Sequence, residues 1–196
     1  MFKNYKLIKN IINKQVCDIA VNYCELTKTK TEYLFNNHLI PMDSKIYGTF
    51  GDSQVTKKDV FCYYGSEFFD CLLEFLKGDV EKELNLKLKS MNSYFRIYTK
   101  GSILKPHIDR DACEFSTTLN LGGDTWPIYF LIDKKEVEII LNPGDMLVYR
   151  GCELKHWRKK FKGNKCYQVF LHYNDTKTDV PIYDGRPSLG NNIGRW

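Results

Sequence analysis

The strongest constraint on the fold is a change of period. Up to about residue 84 the apolar residues recur at helical spacing, and from about residue 86 they alternate. Alternation sends successive side chains to opposite faces of a strand, so each alternating run has one face to bury. Residues 94–98, 103–109, 115–121, 127–132, 137–141, 146–149, 154–157 and 166–173 each read as a short strand. Thr99-Lys100-Gly101-Ser102, Asp133-Lys134-Lys135 and Asn142-Pro143-Gly144-Asp145 supply turns between them. This many short strands after a helical half predicts a mainly β protein with flanking helices. The expected architecture is a double-stranded β-helix (jelly roll) with the N-terminal helices packed on one sheet.

The helical half is expected as follows. Leu7, Ile8, Ile11, Ile12, Val16, Ile19, Ala20 and Tyr23 predict one amphipathic helix over 5–27. Residues 28–52, broken by Asn36-Asn37, Pro41, Gly48 and Gly51, read as a long loop with one short strand. Ser66 is placed to cap a second helix running to about residue 83, with Phe68, Cys71, Leu72, Phe75, Leu76 and Val80 as its apolar stripe. The 196 residues are read as one domain: helical support over 1–84, a jelly-roll core over 85–174, and an irregular tail over 175–196 with Pro181, Gly185, Pro187 and Gly190.

Composition narrows the function classes. A formal net charge of +5 with scattered lysines describes a solvated surface and makes nucleic acid an unlikely partner. The seven cysteines show no C-x-x-C pair and no metal-ligand spacing, which fits free thiols in a reducing cytoplasm. No apolar run is long enough for a transmembrane helix, and the N-terminus lacks the pattern of a signal peptide. Oligomeric state is not legible.

The chemistry concentrates in three residues. His107-Ile108-Asp109 is an H-x-D tripeptide in an extended stretch, which would send both ligating side chains to one face. His156 lies far enough downstream to return on another strand. Two imidazoles and a carboxylate make the facial triad of non-haem iron(II) oxygenases, which leaves three metal positions open. By itself an H-x-D is a weak signal, since a strand histidine is commonly just packed or hydrogen-bonded.

The segment from about 94 to 173 resembles the Fe(II)- and 2-oxoglutarate-dependent dioxygenases, especially their prolyl-hydroxylase-like branch. The likeness rests on His107, Asp109 and His156 in that order, on Gly163-Asn164-Lys165 after the distal histidine, and on Tyr98 with Gly101 before the first. It rests further on Leu119-Asn120-Leu121-Gly122-Gly123-Asp124, Trp126-Pro127-Ile128, Asn142-Pro143-Gly144-Asp145 and Tyr149-Arg150-Gly151. The tail Asp184-Gly185-Arg186-Pro187-Ser188-Leu189-Gly190 is similar to tails in some bacterial and phage-type members. The first 85 residues add nothing to the likeness.

The resemblance implies Fe(II) on His107, Asp109 and His156, with 2-oxoglutarate and O2 as co-substrates and ascorbate as an optional reductant. It implies hydroxylation of a substrate C–H bond with release of succinate and CO2. Lys165 is the first choice for the counter-charge to the 2-oxoglutarate C5 carboxylate, because an unpaired charge in a narrow pocket is costly. Arg158 is the alternative, or else it lies at the pocket wall. Tyr98 would add a hydrogen bond, with Thr118 and Asn120 as weaker candidates. Arg110 would either contact substrate or make a structural ion pair. His172 reads as a hydrogen-bonded core histidine, and His38 as a loop residue. The implied substrate is a peptidyl residue, prolyl first, or else a small molecule. Two other readings stay open: a non-catalytic jelly-roll binding module, and a metal cupin that uses no 2-oxoglutarate.

Overall fold

A computed structural model describes residues 4–41, 47–57 and 59–180. Eleven strands and two long helices follow in the order β1 (Tyr5–Ile8), α1 (Lys14–Asn36), β2 (Thr49–Phe50), β3 (Phe61–Tyr64), α2 (Glu67–Leu84), β4 (Leu88–Thr99), β5 (Leu104–His107), β6 (Phe115–Gly123), β7 (Ile128–Ile132), β8 (Lys135–Ile139), β9 (Met146–Arg150), β10 (His156–Arg158) and β11 (Lys165–Asp175). A seven-stranded sheet runs β1-β9-β6-β11-β4-β3-β2, and a four-stranded sheet runs β5-β10-β7-β8. All the pairings are antiparallel. The expected mainly β architecture, two sheets with helices on one of them, is therefore what the chain adopts.

The larger sheet has two working faces. Along β4 the odd positions Phe95 and Ile97 join the core under the helices, with Leu73 and Leu76 of α2 and Ala20 and Cys24 of α1. The even positions Tyr94 and Tyr98 turn to the space between the sheets, where they pack with Trp126, Phe161 and Phe170. A third apolar cluster, Ile128, Phe130, Leu147 and Tyr149 among its members, joins the smaller sheet to β9. Each fully buried side chain of this size contributes roughly 1.5–3 kcal/mol. The helices thus brace the outer face and leave the inner one for a site.

The N-terminal half departs from expectation. Residues 5–8 form a strand on the edge of β9. Asn10 sits at φ 51°, which ends any helical path there. Helix α1 starts only after Asn13, whose side chain accepts the Val16 N–H at 3.0 Å. It then runs on through residues read as loop. Its buried positions Cys17, Ala20, Cys24, Thr31 and Phe35 keep helical spacing, but a polar Thr31 hides the stripe. Thr31 Oγ1 is satisfied by the carbonyls of Thr27 and Tyr47.

Helix α2 matches its expected span and Ser66 caps it. Its face is rotated from the expected stripe. Phe69, Leu73 and Leu84 are buried with Leu72, Leu76 and Val80, whereas Cys71 and Phe75 are exposed. Strand β3 was not expected, and β4 begins well before residue 94. Residues 181–196, most of the expected tail, lie outside the described residues.

Candidate metal centre and its cavity

Strand β5 ends at His107, and β10 begins at His156, its direct cross-strand partner. Asp109 is not in the strand. It lies two residues beyond, where its N–H donates to the Gly151 carbonyl at 2.9 Å. That bond turns the carboxylate back to the imidazoles. His107 Nε2 is 3.6 Å and His156 Nε2 3.7 Å from Asp109 Oδ1. One ligand atom from each of the three lies within 4.8 Å of the others.

The surroundings orient these atoms as a metal requires. His107 Nδ1 lies 2.7 Å from the Lys105 carbonyl and His156 Nδ1 2.9 Å from that of Leu154. A carbonyl can only accept, so both Nδ1 atoms carry the proton and both Nε2 lone pairs point inward. Ser116 Oγ donates to Asp109 Oδ2 at 2.5 Å, leaving Oδ1 toward the histidines. Gly151 makes room for this: a Cβ there would lie 2.6 Å from Asp109 Oδ2. Burial pushes the His156 pKa down to about 4, with the Asp109 charge opposing that shift. The imidazole is therefore neutral and available as a ligand near pH 7. The donor set fits a divalent metal that accepts nitrogen and oxygen ligands and keeps open positions, as Fe(II) does.

The triad lies on a cavity of about 260 Å3 between the sheets. Arg158, Arg110, Arg96, His172, Tyr149 and Phe170 are among its other lining residues. Arg158 stands two residues after His156 on β10 and is 1% exposed. Its Nη1 donates to the Trp126 carbonyl, and its Nη2 to Thr118 Oγ1 at 3.2 Å and Gln168 Oε1 at 3.3 Å. Its Nε has no partner among the described residues. Nor does any described carboxylate lie within ion-pair distance of it. A buried guanidinium without a counter-anion is costly, and this one borders the metal cavity.

Lys165 is placed elsewhere. Its Nζ pairs with Glu25 of α1 at 2.6 Å and is nearly half exposed. The reason is parity. On β11 the odd positions Lys165, Tyr167, Val169 and Leu171 face the helices, while Cys166, Phe170 and the cavity-lining His172 face the other way. Tyr98, Thr118 and Asn120 are fully buried but are not among the side chains lining the cavity. Tyr98 accepts from Arg96 Nη1 at 3.1 Å, Thr118 supports Arg158, and Asn120 bonds the Leu141 carbonyl and Gln168. His38 lies on an exposed turn away from the site.

Sequence reasoning missed Arg96. Its guanidinium pairs with Asp52 at 2.7 Å and donates to the hydroxyls of Tyr94 and Tyr98 and to Gln54 Oε1. Burial favours the neutral Asp52, but Arg96 and the hydrogen bonds from Gln54 and Tyr94 outweigh it and hold the carboxyl below its usual range. A signal was present: Ser90, Asn92, Tyr94, Arg96 and Tyr98 carry polar groups at successive even positions of a strand whose odd positions include the apolar Met91, Phe95 and Ile97. A buried strand with one polar face borders a site.

No family model matches the chain, and no curated protein is similar to it in sequence. Its fold is that of the Fe(II)- and 2-oxoglutarate-dependent oxygenases, a double-stranded β-helix. A prolyl-4-hydroxylase from Pseudomonas putida superposes with a TM-score of 0.65 at 12% identity, over 87% of this chain and 92% of that one. HygX from Streptomyces hygroscopicus, solved with nickel, 2-oxoglutarate and hygromycin B bound, gives 0.63 at 11% identity over 94% and 91%. The viral collagen prolyl hydroxylase of Paramecium Bursaria Chlorella virus-1, a 2-oxoglutarate complex, gives 0.59 at 12% over 87% and 96%.

Proposed function

We propose that this protein is an Fe(II)- and 2-oxoglutarate-dependent oxygenase that hydroxylates a substrate C–H bond. The observation that carries the reading is Arg158, a buried cation without a carboxylate partner on the wall of a cavity that also holds two histidines and an aspartate. A binding module has no use for that arrangement. A dicarboxylate co-substrate chelating the metal through one end does, because its far carboxylate neutralises the guanidinium.

Bound together, the metal, 2-oxoglutarate and O2 would supply oxidative decarboxylation to succinate and CO2 coupled to insertion of oxygen into a C–H bond. The protein's own part is placement. His107, Asp109 and His156 would hold one face of the ion and leave the rest open. Ser116 fixes which Asp109 oxygen turns inward. Arg158 would take the C5 carboxylate in the role first assigned to Lys165, held in aim by Thr118 and Gln168. Trp126, beneath the Arg158 guanidinium at 5.3 Å, and Phe130, stacked on His156, keep water from this end.

For the substrate, the likeness to two prolyl hydroxylases supports an amino-acid-sized group, prolyl first, and the HygX likeness supports a small molecule. The cavity, slightly below the usual range for ligand pockets, suits a compact reacting group. The test is anaerobic addition of Fe(II) and 2-oxoglutarate. A weak visible charge-transfer band is expected, followed by succinate release on admission of O2. No band from protein that binds the metal would sink the reading.

A further inference from the structure

We infer that Tyr149 is an exchangeable hydrogen-bond donor: in the metal-free protein its hydroxyl holds the His156 Nε2 lone pair, and once a metal takes that lone pair the hydroxyl turns to the chelating end of the co-substrate. This rests on the oxygenase reading for the identity of the co-substrate. Strand β9 alternates: Met146 and Val148 join the core under the helices, and Leu147 and Tyr149 join the cluster against the smaller sheet. Tyr149 is the cross-strand partner of Ser116, so both side chains leave the same face. Ser116 bonds Asp109 Oδ2, and the Tyr149 hydroxyl lies 3.3 Å from His156 Nε2. The Tyr149 ring packs edge-on against His156, with centroids 4.8 Å apart, and against Phe130 at 5.0 Å. Tyr149 is 2% exposed and lines the metal cavity.

The two contacts differ in kind. Ser116 takes the Asp109 oxygen turned away from the histidines, so its bond persists when a metal binds. Tyr149 sits on a ligating lone pair. His156 Nδ1 carries the ring proton, held by the Leu154 carbonyl, so Nε2 can only accept and the phenol donates. A lone pair given to a metal is no longer available to a donor. The bond is long, so the metal displaces it at little cost. The hydroxyl must then find a new acceptor, because a buried hydroxyl left without one costs free energy.

The neighbours of the hydroxyl decide what that acceptor is. Asp109 and Arg158 are the charged side chains that act on it. These are the two ends assigned to the co-substrate, a metal ligand at one and the C5 anchor at the other. Asp109 Oδ2 already has Ser116, and Oδ1 faces the imidazoles. Arg158 can only donate. The acceptor left in the cavity is an oxygen at the chelating end of the co-substrate, and a phenol donating to that charged group makes a charge-assisted bond. Tyr149 thus adds a contact to 2-oxoglutarate that exists only with the metal in place.

The test compares the wild type with Tyr149→Phe, which removes one oxygen and keeps the ring. Histidine is isotopically labelled at nitrogen, and the His156 signals are assigned by their loss in His156→Gln. In the metal-free protein the Nε2 resonance of Tyr149→Phe should move downfield, to the position of an imine nitrogen that accepts no hydrogen bond, while Nδ1 keeps its proton. With Zn(II) bound the two proteins should agree. With Fe(II) under anaerobic conditions, Tyr149→Phe should bind 2-oxoglutarate about three- to ten-fold more weakly, the worth of one hydrogen bond, and its charge-transfer band should be displaced in wavelength. Leu147→Val loosens the same apolar cluster without touching the hydroxyl, and should leave the nitrogen signal and the band position unchanged. An Nε2 signal that does not move overturns the inference. So does a 2-oxoglutarate band of unchanged position and affinity in Tyr149→Phe, or a Leu147→Val protein that reproduces both changes. An absent band in the wild type instead overturns the oxygenase reading, while the metal-free nitrogen signal still decides whether Tyr149 holds His156.

Discussion

His107 and His156 face each other across one pair of antiparallel strands, with ring centroids 4.3 Å apart. Two ligands set on adjacent strands of one sheet cannot drift apart without breaking the ladder between them. The third, Asp109, is tied by its own backbone to Gly151. His156→Ala should therefore lower Fe(II) affinity at least about 100-fold and abolish turnover while the fold survives. Calorimetric titration with metal, beside a far-ultraviolet spectrum, measures both. Normal metal binding by a folded variant would remove the centre from consideration.

Ser116 tests how far the carboxylate's aim matters. Its hydroxyl bonds the Asp109 oxygen that the histidines do not share. Ser116→Ala should cost about 10–100-fold in metal affinity, the usual effect of losing a partner behind a ligand. Gly151→Ala acts on the same contact by crowding, since its Cβ would press on both Ser116 Oγ and Asp109 Oδ2. If both variants bind metal as the wild type does, Asp109 is positioned by something else.

Arg158 and Lys165 make opposite predictions. Arg158→Ala should raise the 2-oxoglutarate requirement at least about ten-fold, because the far carboxylate would be buried without a counter-charge. Lys165→Ala should leave that requirement unchanged and cost at most about 1 kcal/mol, the worth of an exposed ion pair with Glu25. Apparent affinities from the charge-transfer band decide between them. The reverse pattern would return the anchoring role to Lys165.

These two residues also show where the sequence was legible. The triad and the two-sheet architecture follow from residue type and alternation, which local physics controls. The side on which Lys165 falls does not, because one residue of register decides whether a strand residue meets the core or the helices. Strand β1 was hidden for a related reason: Leu7, Ile8, Ile11 and Ile12 satisfy helical spacing as well as a strand and a turn. Only the left-handed Asn10 and the edge of β9 decide it. The polar even positions around Arg96 marked its face of the strand, but its partners Asp52 and Gln54 come from a distant loop, so the ion pair itself was not legible.

Acid should destabilise the metal-free protein through its buried histidines. Burial brings His172 and His156 from 6.5 down to about 4. Between those values the unfolded chain takes up protons that the folded chain refuses. The stability this represents is complete above pH 6.5 and is lost as pH falls toward 4, by roughly 3 kcal/mol per histidine at the acid limit. Urea unfolding at pH 7 and pH 4.5 should show a smaller loss for His172→Leu than for the wild type. Equal losses would mean that His172 protonates without cost to the fold.

The Asp52–Arg96 pair should matter more to structure than its length suggests. Arg96 is 3% exposed and spends its donors on Asp52, Gln54, Tyr94 and Tyr98. Asp52→Ala removes the one carboxylate paired with that guanidinium among the described residues and leaves a buried charge, a change that costs about 3–5 kcal/mol. It also frees the segment that brings Gln54 and Val55 against β5, where the Gln54 carbonyl accepts from Lys105 and Val55 bridges to Leu104. The double variant Asp52→Ala with Arg96→Met should recover much of that loss, since it removes the stranded charge as well. Chemical denaturation of the three proteins tests the cycle. A double variant no more stable than Asp52→Ala would mean that the loop is held by its backbone contacts to β5 and that the ion pair contributes little.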